Sequence, residues 1–163
     1  LWEVKVYDNS TILYNQLLSS QAKESIKTVT KSKTVESVTK EVKVYTLEDH
    51  IAKVNPDVKV IFEALRERLL SLGAEVKEVP KKQYVAYKSG TNFADLIFYQ
   101  KEIRVTLNLR SGELNDPKNT ATDFTKPPKG HWGNGDYEVI LRKVDELPYV
   151  MSLIEQSYKK SRE

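Results

Sequence analysis

The chain has 163 residues, 39% of them hydrophobic, enough for one domain, or one domain with an extension, around a real core. It has no cysteine, which removes disulfides, thiol catalysis and cysteine-ligated zinc together. Of the 26 Lys and Arg, 7 fall in residues 1–45, as do 5 of the 23 Asp and Glu, leaving 19 against 18 in residues 46–163; so even a balance gives only modest support for binding nucleic acid.

The opening "LWEVKVYDN" alternates apolar and polar residues through Leu1, Val4 and Val6, as a short strand does, and stops at Asp8 and Asn9. Residues 19–44 are rich in Ser, Thr and Lys, with isolated apolar positions, and read as an exposed arm or connector. Thr46 and Asp49 form a capping-box pattern that opens a short helical piece through His50. Asn55 and Pro56 then begin a longer helix whose stripe is Val58, Ile61, Leu65, Leu69 and Leu72, with Gly73 ending it. From there the period switches to two, and strands are expected at 75–79, 84–88, 93–99, 102–110 and 136–142. The short gap at Gln100 and Lys101 forces an antiparallel hairpin. A last helix starts near Asp145, with Leu147, Val150, Met151, Ile154 and Tyr158 on one stripe. Together these elements predict an α+β fold, a mainly antiparallel sheet of about five strands packed by two helices.

The long connection 111–135 breaks this economy; loops of such length within compact domains are usually functional or disordered, and its buried-looking aromatics Phe124 and Trp132 argue against disorder. Its end, "GHWGNGD", concentrates glycines around one tryptophan. Trp132 either plugs the end of the sheet or walls a pocket with Tyr84, Tyr87 or Tyr99, in which a flat ligand stacks while His131, Asn134 and Asp136 make polar contacts. A nucleobase is the natural ligand. In "EIRVTLNLR" the side chains of Arg104, Thr106, Asn108 and Arg110 form a row at roughly 7 Å spacing, suited to successive phosphates and extended by Lys81, Lys82 and Lys88, unless the row is an ordinary solvated face. His131 with Asp116, Asp123 or Asp136 is the weaker, catalytic alternative. No catalytic residue, metal site or cofactor is assigned. Nor does any apolar run reach the roughly 18 residues of a membrane helix, so a cytoplasmic, non-membrane protein is expected.

The runs "KKQYVAYKSGTNFADLIFYQKEIRVTLNLRSGELNDP", "GHWGNGDYEVIL" and "LPYVMSLIEQSY" resemble family 5655 of domains of unknown function, once labelled "predicted transport protein", over about residues 55–160. The opening "LWEVKVYDNSTILYNQL" and "KEVKVYTLEDH" resemble the segment joining such a domain to an upstream restriction-endonuclease-like domain. The resemblance implies that residues 1–54 are the tail of an upstream domain and residues 55–163 an accessory domain. It carries no catalytic residues. Glu3 and Lys5 form an E-x-K pattern, but nuclease chemistry needs a second, upstream carboxylate to hold Mg²⁺, and an alternating strand accounts for both. The expectation is therefore a non-catalytic accessory domain of a nuclease-type defence protein that recognises DNA or a modified base. A docking module for the upstream nuclease-like domain, or for a second copy of the chain, is the alternative; a metal-dependent hydrolase ranks third.

Overall fold

A computed structural model describes residues 2–6, 12–16 and 44–163. The chain divides into two units, Leu1–Lys43 and Val44–Glu163. In the first, β1 (Trp2–Val6) pairs antiparallel with β2 (Ile12–Gln16), with Val4 opposite Tyr14. The side chains of Glu3 and Lys5 and the expected arm at 19–44 lie outside the described residues, apart from Val44, which is exposed.

The second unit opens with α1 (Leu47–Ile51). Thr46 Oγ1 accepts from the Asp49 amide at 3.3 Å, and the Asp49 carboxylate accepts from the Thr46 amide at 2.9 Å, which closes the capping box in both directions. Leu47 and Ile51 pack against the core of this unit, so α1 belongs with it. α2 (Pro56–Ser71) has Pro56 in the first turn, where no amide donor is missed, and buries Val58, Ile61, Phe62, Leu65 and Leu69. Asn55 makes no side-chain cap; its amide instead donates to Gln100 O at 2.9 Å. The helix ends at Leu72, and Gly73 follows because Tyr158 Oη and the Glu75 carboxylate crowd the space a side chain would take.

Six strands follow: β3 (Lys77–Pro80), β4 (Val85–Ser89), β5 (Thr91–Phe98), β6 (Ile103–Leu107), β7 (Thr122–Asp123) and β8 (Tyr137–Leu141). They form one antiparallel sheet in the order β3-β4-β5-β6-β8-β7. The expected hairpin at Gln100 and Lys101 is present, with Phe98 opposite Ile103. The two-residue β7 inside the long connection is the sixth strand, and it pairs at the far edge of β8.

A 3₁₀ turn (Val144–Glu146) leads into α3 (Leu147–Lys160), which buries Leu147, Val150, Met151, Leu153, Ile154, Ser157 and Tyr158. α2 and α3 cover one face of the sheet, where Val85, Tyr87, Ala94, Leu96, Val105, Leu107, Val139 and Leu141 join a single core. The fold is therefore the α+β layer expected from the periodicities.

Candidate functional site

The other face of the sheet is covered in its middle by the segment between β7 and β8. Two glycines make that possible. Gly133 has φ +95°, and a side chain there would lie 3.0 Å from Asp95 Cβ and 3.1 Å from Thr106 Cβ. Gly135 has φ +101° and passes so close to the backbone that a Cβ would fall 2.6 Å from Asn108 Cα. The segment is then tied down: Thr106 Oγ1 donates to Trp132 O at 3.1 Å, and the Asn134 amide donates to Asp95 Oδ2 at 2.7 Å. Asp95 also accepts from Asn92 Nδ2 at 2.8 Å. Burial pushes the Asp95 carboxyl up to about 6, against the lowering effect of these two donors and of Lys88.

The "GHWGNGD" loop thus seats its backbone on the sheet and leaves its tryptophan outside. Trp132 is 57% exposed and does not plug the sheet. The aromatic that does become buried is Phe124, with His131 stacked on it at 4.2 Å. His131 Nε2 lies 2.7 Å from Gly135 O and Nδ1 lies 3.3 Å from Lys129 O, so both ring nitrogens face backbone carbonyls and neither faces a carboxylate. The acids proposed to orient it are engaged elsewhere. Asp116 binds the Tyr149 hydroxyl and the Ala121 amide, Asp123 binds Ser111 and Thr125, and Asp136 accepts from the Ser111 amide.

Between this loop and the outer sheet lies a cavity of about 710 Å³, within the range of small-molecule sites. Ile97, Arg104, Glu138 and Ile140 contribute from the strands, Tyr99 from the β5–β6 turn, and Thr122, Phe124, Lys129, Gly130, His131 and Trp132 from the long connection. Arg104 Nε donates to Glu102 at 2.7 Å, its Nη1 lies 3.4 Å from Glu138 Oε1, and its guanidinium sits 4.7 Å from the Tyr99 ring centroid. Glu138 is 8% exposed, and burial raises its pKa; the Arg104 and His131 charges oppose that rise, and Glu102 adds to it.

The cavity brings together only part of the residue set expected from the sequence. His131 and Trp132 line it, as does Tyr99. Asn134 and Asp136 face a separate depression of about 360 Å³ beside Asn108 and Arg110. Tyr84 is half-buried and does not line the cavity; burial, then the Asp95 charge, raises its hydroxyl. Tyr87 belongs to the core on the helix-packed face, where its hydroxyl donates to Glu78, so it walls no pocket with Trp132.

The expected phosphate-binding row is also broken up. Arg104 is paired with Glu102 and Glu138, Thr106 is fully buried under the loop, and Asn108 donates to Asn92 O at 2.7 Å beyond the end of β6. Arg110 is exposed. Lys81 and Lys82, between β3 and β4, lie toward the opposite edge of the sheet, and half-buried Lys88 lies near Asp95. The row is interrupted at Thr106, where its centre is the seat of the loop.

Glu138 and Asp95 were not singled out from the sequence. A lone carboxylate inside the apolar run "NFADLIF" was the available signal for Asp95.

The profile of a family described as "Domain of unknown function (DUF5655)" matches residues 47–161, which include every cavity residue named above. The chain belongs to the DUF5655 family. A Haemophilus influenzae protein described as "Uncharacterized protein" is 39% identical to it over 160 residues, which are 98% of this chain and 52% of that protein. The chain therefore spans about half the length of that relative. No solved structure matches it. Among the described residues, no helix of this DUF5655 chain is long and apolar enough to cross a membrane, and no cluster of three or more His, Asp or Glu is placed to hold a metal ion.

Proposed function

We propose that the DUF5655 domain is a non-catalytic recognition module whose open cavity takes a nucleobase, modified or not, from a nucleic acid. The observation that carries this reading is the pair of exposed aromatics, Trp132 at 57% and Tyr99 at 45%, lining one cavity with a guanidinium and a buried carboxylate. A ring stacks on exposed aromatic faces while polar groups meet its edge, which is how unstacked bases are held. The loop is already tied to Asp95 and Thr106, so little ordering is required when a ligand stacks on Trp132. His131 Nε2 lies 2.7 Å from Gly135 O, and its ring contacts are backbone carbonyls rather than a carboxylate, which supports a binding role over acid–base chemistry.

The resemblance to domains that follow restriction-endonuclease-like domains supports a place beside a cytoplasmic, nuclease-type defence activity. The relative of which this chain covers 52% leaves room for such a second part. Docking on that part, or on a second copy, is the other reading, and it draws on the same exposed aromatics, since Trp and Tyr also anchor protein interfaces.

The test is fluorescence anisotropy of labelled single- and double-stranded DNA, unmodified and cytosine-modified, titrated with the wild-type chain and with Trp132→Ala. Loss of one stacked base is worth about 1–3 kcal/mol, so the variant should bind about 5- to 150-fold more weakly while melting at the same temperature. Absence of binding to any strand at low salt would sink the base-recognition reading. Concentration-dependent self-association that Trp132→Ala abolishes would put docking in its place.

A further inference from the structure

The strand side of the cavity is chemically asymmetric. Glu138 is 8% exposed and lines the cavity, yet among the described residues its polar partner is Arg104 Nη1 at 3.4 Å, long for a charge-assisted bond. A carboxylate offers about four acceptor sites, so most of its capacity is unspent. Arg104 is held in place by its Nε bond to Glu102 at 2.7 Å and by the Tyr99 ring. The cavity thus presents a fixed double acceptor beside a fixed donor, with Trp132 available for stacking.

We propose that this arrangement selects guanine: its N1–H and N2–H donate to the Glu138 carboxylate, its O6 accepts from Arg104, and its ring stacks on Trp132. The inference rests on the base-recognition reading above and adds to it the identity of the base. Guanine has two adjacent donors beside an acceptor on its pairing edge. Adenine and cytosine each place a ring-nitrogen acceptor next to their amino donor, which would set a lone pair against the second carboxylate oxygen; uracil and thymine flank their single donor with two acceptors. Lys129 lines the same cavity and supplies a cation for the attached phosphate, whether that phosphate belongs to a free nucleotide or to a strand.

The experiment titrates the full chain with GMP, AMP, CMP, UMP and IMP, and with single strands that carry or lack guanine, and follows heat of binding in wild type, Glu138→Gln and Trp132→Ala. GMP should bind about 5- to 150-fold more tightly than the other nucleotides, the range by which a good bidentate pair discriminates. IMP, which lacks the N2 amine, should lose about the same factor without any change to the protein. Glu138→Gln keeps the side-chain volume and removes the preference, whereas Trp132→Ala weakens all five nucleotides together. Tighter binding to guanine-containing strands than to GMP identifies nucleic acid as the source of the base; equal binding identifies a free nucleotide; both support guanine selection. Equal affinity for all bases, still sensitive to Trp132→Ala, overturns the guanine inference and leaves base stacking standing. Binding of no nucleotide and no strand overturns both.

Discussion

Replacing Asp95 by Asn separates the charge of the buried carboxylate from its shape. Asp95 is 1% exposed, and burial moves its carboxyl from an ordinary 3.8 up to about 6. Between those two values the folded chain still holds a proton that the unfolded chain has released. Stability therefore falls as pH rises through the interval, and the full cost is present above about pH 6. At about 1.4 kcal/mol per pH unit, that cost is about 3 kcal/mol at neutral pH.

Asn at this position keeps an acceptor for the Asn134 amide, and rotation of the Asn92 amide turns its oxygen toward the new NH₂ group. Urea unfolding of both proteins across the acid-to-neutral range is the assay. The difference between the two curves isolates Asp95, because carboxylates held below their ordinary values, such as Asp116 and Asp123, titrate in both. The variant should gain on the wild type by up to about 3 kcal/mol between about pH 4 and pH 7. A flat difference, or one moving toward the wild type as pH rises, refutes the argument. It would mean that the hydrogen bonds from Asn134 and Asn92 balance or outweigh the desolvation of the charge.

Gly133→Ala places a side chain at φ +95° and against Asp95 and Thr106, and should lower stability by about 1–3 kcal/mol in thermal melts while loosening the Trp132 loop. Gly130→Ala, with nothing within 4 Å of the added carbon, should stay within about 0.5 kcal/mol of wild type. Phe62→Ala empties a fully buried site whose ring meets Phe98 edge-on at 5.0 Å, and chemical denaturation should show a loss of about 3–5 kcal/mol. Because Arg104, Arg142 and Lys126 are all paired with carboxylates, single-strand binding should involve few phosphates. Each neutralised phosphate contributes about 0.7 to the slope of log affinity against log salt, so a slope beyond about 3 would point to a backbone interface elsewhere on the chain.

Much of the helix and strand content was legible because it is written in short-range periodicity. Val58, Ile61, Leu65 and Leu69 repeat at helical spacing, and all are buried on α2. The Thr46–Asp49 box was equally local, since both partners lie within one turn. The alternation in "EIRVTLNLR" correctly set Ile103, Val105 and Leu107 on the core face. It misjudged the other face, because Thr106 is buried by a loop whose contact with it comes 26 residues later in the chain. Tyr87 lies two residues from Val85 on β4 and so shares its face, which packs into the core.

The sequence by itself determined the α+β class and marked the glycine-rich stretch around Trp132 as a shaped loop, since helical and strand periods, caps and positive-φ glycines are properties of neighbouring residues. Only the tertiary structure decided what that loop covers. Asp95 and Glu138 sit on strands, Tyr99 on a turn, and Phe124 and Trp132 on a connection that β7 ties to the edge of β8. Their convergence depends on strand order and on the seating of Gly133 and Gly135 against the sheet, both set by long-range packing that no local pattern encodes.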